Sequence, residues 1–319
     1  MVTTKLPHRI TLKRATRAFL GVFALLLLVS CGNSKFILGP LYNRLDDQMR
    51  KEFNKLGNFD ASQKREFENR LQTFHLWHRR MELPRYADLL DRVSTAIVDP
   101  RTKTVDEIKA WTAESEDFSV SVRACHPVNY SFDLMRTLAD EQVDFIERRF
   151  AREQKKNRAR YDSRTPEERQ ERRYNFVLKW SGRIGLNFTT DQKALLREKL
   201  AEQISLREEY WGLSKQWNKE FFSIAREQDS RQYRQRMETQ LGKLWTLLER
   251  NKNEEWQFNR DLWAGFLVEF ANTMNDDQRR WASTWLPKLA RTLRDMSDDS
   301  VKFEANGKRL VDPTLGCTA

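Results

Sequence analysis

The chain has 319 residues, of which 39% are hydrophobic and 32% charged, with a formal net charge of +11. Its 11 glycines and 8 prolines are too few for a turn-rich β-sandwich, and the abundance of good helix formers points to an all-α fold. Five of the cations (Lys5, Arg9, Lys13, Arg14 and Arg17) lie in residues 1–30, which hold no acid. The remainder therefore carries only +6, and the charge gives no argument for nucleic-acid binding.

The N-terminal cations lead into an apolar run from Ala18 to Val29, twelve residues long. A membrane span needs roughly 20 residues, so the run fits an export signal better than a spanning helix. It closes on Leu28-Val29-Ser30-Cys31. This resembles the bacterial lipobox, in which the cysteine thiol takes a diacylglycerol and the signal, here residues 1–30, is removed. The alternative is a plain signal or short anchor with a coincidental cysteine. The resemblance implies lipidation at Cys31 and a bilayer partner through N-terminal acyl chains, two or three of which hold a protein effectively permanently. Gly32 after the cysteine, where the enteric sorting pattern would use Asp for inner-membrane retention, implies the outer membrane and a domain facing the periplasm.

Residues 31–41 read as an acylated tether, 42–300 as a helical domain and 301–319 as a C-terminal tail. A start signal recurs along the domain. Asp60 precedes Gln63 by three positions, Thr189 precedes Gln192, Asn275 precedes Gln278, and Ala139 before Gln142 is a weaker copy without a capping side chain. In such a capping box the first side chain accepts from an orphan backbone N–H, and the glutamine reaches back to the cap's own amide. Thr104 with Glu107, and Thr165 with Pro166 and Glu168, announce two more starts. Gln63 and Gln192 lie 129 positions apart, Gln142 and Gln278 136 apart. Tandem units, with halves 42–184 and 185–300, give that spacing; so do four independent caps.

Between the starts, Phe67, Leu71, Phe74, His78 and Met81 form one helical stripe, which Pro84 should break or kink. Leu206, Tyr210, Leu213, Trp217, Phe221 and Ile224 form another, and Met237, Leu241, Leu244 and Leu248 a third. Eight of the ten tryptophans fall between Trp180 and Trp285, spaced as core residues, with a binding groove as the alternative.

His75, His78 and Glu82 share a helix face and contain metal-ligand types, but His78 sits on the apolar stripe and no fourth ligand is evident, so a buried structural histidine is the simpler expectation. Cys125 beside His126 suggests a thiol nucleophile, which an oxidising compartment disfavours. Cys125 and Cys317 are instead candidates for a disulfide pinning the tail. No HExxH, CxxC, G-x-S-x-G or P-loop is present, and the expectation is a non-enzymatic protein without cofactor. Residues 148–183 carry 13 basic residues against 5 acids. Arg152, Lys155, Lys156 and Arg158 are their candidate contacts with an anionic surface.

The lipobox, Tyr42-Asn43-Arg44-Leu45-Asp46, the block from Trp77 to Tyr86 and Glu147-Arg148-Arg149-Phe150 together resemble a family of uncharacterised proteobacterial helical lipoproteins. The Thr189-Thr190-Asp191-Gln192 element, preceded by Phe188, is faintly similar to the LTxxQ element of Spy-type periplasmic chaperones; a good helix cap would look the same. The expected function is a membrane-anchored envelope module that binds a protein partner or supports envelope homeostasis. The alternative is a lipid- or lipopolysaccharide-interacting protein using residues 148–183.

Overall fold

The computed structural model describes residues 34–99, 101–127, 132–249 and 254–305. Residues 1–30, Cys31 and Cys317 lie outside the described residues. Among the described residues every regular element is helical: α1 (Ser34–Leu56), α2 (Ala61–Trp77), a π-helical turn (His78–Glu82), α3 (Leu83–Val98), α4 (Val105–Ala124), α5 (Phe132–Arg136), α6 (Asp140–Asp162), α7 (Pro166–Arg183), α8 (Thr190–Glu202), α9 (Arg207–Ala225), α10 (Tyr233–Glu249), α11 (Glu254–Asn272) and α12 (Asp276–Ala305). The all-α expectation holds. Two boundaries differ from it: α1 starts inside the stretch read as a tether and includes the breakers Gly39 and Pro40, and α12 runs into the stretch read as a tail.

Each start signal makes the helix it announced. Asp60, Thr104, Thr165 and Thr189 accept from the backbone N–H three residues on, and the Gln or Glu there accepts from the cap amide. Asn275 and Gln278 do the same. At the weak copy, the Ala139 amide still donates to Gln142 Oε1 at 2.9 Å, so one half of the device survives without a capping side chain.

The glutamines have a second task. Gln63 Nε2 donates to Gln142 Oε1 at 3.1 Å and Gln142 Nε2 donates back to Gln63 Oε1 at 2.9 Å. Gln63 also donates to the Thr137 carbonyl at 2.8 Å, and Gln142 to the Asn58 carbonyl at 2.7 Å. Gln192 and Gln278 repeat this arrangement, donating to each other at 3.1 and 2.7 Å, and to the carbonyls of Thr273 and Asn187 at 3.2 and 2.7 Å. The recurrence seen in the sequence is thus a recurrence of structure: two amide clasps, each locking two helix starts side by side. Gln192 is 1% exposed. Gln192→Leu should cost about 3 kcal/mol, because it leaves buried carbonyl and amide groups without partners. A double-mutant cycle with Gln278→Leu, read by chemical denaturation, should show coupling; strictly additive losses would mean that the pair does not act as a unit.

Three apolar cores lie between the helices. The first joins Tyr42 of α1, Leu83, Tyr86, Leu89 and Leu90 of α3 and Phe118 of α4 to Leu286, Leu289, Leu293 and Met296 of α12. α3 and α12 run antiparallel, Ser94 meeting Ala282 and Asp88 meeting Arg294. The fully buried Ala87, Ala282 and Ala290 let the backbones approach. The second core joins Phe53 and Phe59 to Val143, Ile146, Trp217, Phe222, Met237 and Leu241. The third holds Tyr174, Leu196, Leu200 and Phe266. Both large cores draw on residues from either side of position 184, so the two clasp-bearing halves are packed into each other. Gly185, in the α7–α8 turn, has φ +82° and lies where the Leu186 amide turns back to the Ser181 carbonyl at 2.9 Å, a left-handed helix end that favours glycine.

Trp111, Trp217, Trp263, Trp281 and Trp285 belong to these cores or pack against them. Trp217 is buried, its indole N–H donating to the Gln240 carbonyl at 2.7 Å, while Trp281 and Trp285 are half-buried against the first core.

Candidate functional site

Two places in the fold concentrate polar chemistry. The first is the π-helical turn. Pro84 has no N–H to donate to the carbonyl four residues back, and the backbone accommodates it by widening, with the Leu83 amide donating to the His78 carbonyl. The extra residue in the turn shifts the stripe expected from a 3.6-residue period. Met81, read as part of the buried stripe, is 53% exposed, and Glu82 is 1% exposed in its place.

The buried carboxylate is met by partners from two helices: Arg85 Nη1 and Ser121 Oγ both donate to Glu82 Oε1 at 2.8 Å. His78 lies alongside, with Nδ1 2.6 Å from the Tyr42 hydroxyl and Nε2 3.3 Å from the Tyr86 hydroxyl. A neutral imidazole donates through one nitrogen and accepts at the other, so the two phenols take opposite roles. His75 stacks on the Tyr42 ring with centroids 4.5 Å apart. Burial, reinforced by His75 and Arg79, draws the His78 pKa down to about 3. Burial and the Glu82 charge push the Tyr86 phenol far up. The turn thus joins α1, α2, α3 and α4 through aromatic rings around the buried Glu82 carboxyl group. His78 and Glu82 meet tyrosine and serine hydroxyls and an arginine here, and among the described residues no group of three His, Cys, Asp or Glu side chains is placed to hold a metal ion.

The second place is the basic helix pair α6 and α7. The first two turns of α6 are anchored by Val143 and Ile146 in the second core. Past Phe150, which packs against the same core, residues 151–153 and 155–159 are all exposed, and between them Gln154 is half-buried, donating to Ser214 Oγ at 3.3 Å. Arg152, Lys155 and Lys156 occupy one face of this projecting stretch with no acid in ion-pair range among the described residues. Arg158 is different. It bonds Asp162 at 2.8 Å and Glu208 at 2.5 Å and lies 4.8 Å over the Trp211 ring, so its charge is already matched.

Where α6 ends, Tyr161 gathers cations from other segments. Arg169 stands 4.2 Å and Arg207 5.8 Å from its ring centroid, and Trp211 meets it edge-on at 5.0 Å. Arg207 was not a candidate from the sequence, because it reaches this group from α9 with no local spacing to announce it. On the other side, α7 and α8 border an open groove of about 780 Å³ lined by Tyr174 and by side chains of both charges, among them Arg164, Glu167, Glu168, Glu171, Arg172 and Arg197.

Cys125 is buried at the end of α4, and the neighbouring His126 ring lies 5.7 Å from Phe74; its candidate disulfide partner, Cys317, is outside the described residues. No described helix is long and apolar enough to cross a membrane.

The model of a family of unknown function, DUF6279, matches residues 56–251. The matched stretch includes the π-helical turn, the second core's helices other than α1 and the basic pair, and leaves out α12, which covers α3. No curated protein and no solved structure gives a significant match.

Proposed function

We propose, for a chain that belongs to the DUF6279 family of unknown function, a lipid-anchored adaptor of the bacterial envelope that holds an acidic protein partner on the projecting face of α6 and performs no chemistry of its own. The observation that carries this reading is the α6 stretch beyond the second core: solvated on nearly every side, and bearing in Arg152, Lys155 and Lys156 three cations with no acid in ion-pair range among the described residues. A helical stretch that meets the rest of the fold only along Gln154 and Arg158 gains little from packing, and like charges three and four positions apart destabilise it slightly. Such a feature makes physical sense where an opposite charge arrives from outside the chain. The lipobox-like Cys31 supports the anchor. The 23 residues of α1 give a rise of about 34 Å between the anchored end and the root of α6, room enough for a partner.

The same three cations also favour a second reading, contact with anionic lipid or lipopolysaccharide phosphates. A photo-crosslinking residue at Lys155 in intact cells separates the two: discrete protein adducts support the adaptor, and lipid adducts alone replace it with the second. Reversing Arg152, Lys155 and Lys156 to Glu together should abolish the adducts. Because the sites are exposed, stability should change by no more than about 0.5 kcal/mol per substitution. Adducts that survive the triple reversal would remove α6 as the contact surface.

A further inference from the structure

The Tyr161 cluster is a different matter from the open strip on α6, because its cations are held in place. Arg169 Nη1 donates to the backbone carbonyls of Tyr161 and Arg164 while its guanidinium lies over the Tyr161 ring. Arg173 Nη1 donates to Gln203 Oε1 at 2.9 Å. Arg207 stacks near both Tyr161 and Trp211, at 5.8 and 5.6 Å from their centroids. Among the described residues none of the three meets a carboxylate within ion-pair distance. The nearby acids serve Arg158 instead, which takes both Asp162 and Glu208. Each guanidinium has five N–H donors, so most of the donors in this group meet no acceptor among the described residues.

Three like charges held together without a counter-charge are costly. Desolvation and then the repulsion of Arg169 and Arg207 draw the pKa of the largely exposed Arg173 below the usual arginine range, against the opposing pull of Tyr161. Hydroxyls stand beside the cations, the Tyr161 Oη and Ser205 Oγ being 3.3 Å apart. The neighbouring start of α9 has Leu206 at its cap position and so no side chain to satisfy its first N–H groups. The groove on the opposite side of α7 lacks this character, since Glu167, Glu168 and Glu171 line it.

We infer that Arg169, Arg173 and Arg207, with the hydroxyls of Tyr161 and Ser205, form a binding site for a phosphoryl group. Planar guanidinium forks pair two-to-two with phosphate oxygens, and a doubly charged tetrahedral anion can engage more than one fork at once, as a single carboxylate cannot. Preorganisation by ring faces and carbonyls means that little side-chain freedom remains to be lost on binding. The phosphoryl group could belong to a soluble phosphate ester or to a lipid headgroup. The site is independent of the Arg152–Lys155–Lys156 strip.

The test uses the purified full chain and inorganic phosphate as the probe, titrated at constant ionic strength against chloride, with tryptophan fluorescence as the readout because Trp211 borders the site. A saturable change with phosphate is expected. It should weaken about tenfold or more in Arg173→Gln and in Arg207→Gln, and less in Arg207→Lys, which keeps the charge but not the fork. Arg65→Gln, an exposed change on α2, should titrate like the parent chain. Phosphate and chloride acting alike, or Arg173→Gln and Arg207→Gln titrating like the parent, would overturn the site. Phosphatidylcholine vesicles with and without phosphatidic acid then identify the source: arginine-dependent capture by the phosphatidic acid vesicles points to a lipid phosphate, and phosphate binding without capture points to a soluble ester.

Discussion

A chain ending at residue 275 should lose the first core and with it the cooperative unfolding transition. α12 covers α3 with Leu286, Leu289, Leu293 and Met296, each 6% exposed or less, on a face where Leu83, Ala87 and Leu90 are also buried. Full burial of one such side chain stabilises by about 2 kcal/mol, so the four together contribute on the order of 8 kcal/mol. That is comparable to the whole stability of an ordinary domain, about 5–15 kcal/mol. The truncated chain is expected to bind a hydrophobic dye and to melt over a broad range, although the second core, whose described members all precede residue 275, should retain part of its helix signal. Leu289→Ala is the milder version and should cost about 2–5 kcal/mol in chemical denaturation. A truncated chain with the parent's sharp melt would show that α12 is dispensable. This dependence lies beyond the family-matched stretch, so that stretch expressed by itself is expected to leave the apolar face of α3 bare.

Acid should destabilise the protein through His78, over a window set by its own shift. In the unfolded chain the imidazole takes up a proton near pH 6.5, and in the fold only near pH 3, because burial and the adjacent His75 and Arg79 oppose the charge. Below pH 6.5 the unfolded state therefore binds more protons, and stability falls as the pH drops toward 3. By this linkage the loss is about 2 kcal/mol at pH 5 and about 5 kcal/mol over the full window. His78→Gln has no ionisable group at the position and should show a flatter profile from pH 7 to 5, at the expense of lower stability at pH 7. The comparison is made as a difference between the two chains by denaturation at each pH, so that surface carboxylates common to both cancel. Parallel profiles would mean that His78 is not held neutral between Tyr42 and Tyr86.

What could be read without coordinates was whatever a few consecutive residues accomplish. A capping box is complete within four positions, and so the starts at Asp60, Thr104, Thr165, Thr189 and Asn275 were all visible. The apolar stripes located α9 and α10 for the same reason, since a helix repeats every 3.6 residues whatever surrounds it. That regularity misplaced Met81. One proline converts the turn before it to a wider form, and the buried position passes to Glu82, which a hydrophobic pattern would always put outside.

The chain's own order of residues decided that it is helical, where most of its helices begin, and that a basic segment lies near its middle. Tertiary structure alone decided which glutamines clasp, because Gln63 and Gln142 are distant in sequence and identical in kind to other capping glutamines. It also decided which arginines stay unmatched. Arg158 looked like its neighbours until Glu208 of α9 was folded against it, and Arg207 joined Arg169 and Arg173 only when α9 was laid beside the α6–α7 corner. Local hydrogen bonds are settled between neighbours along the backbone, whereas the balance of charge at a surface depends on every segment that reaches it.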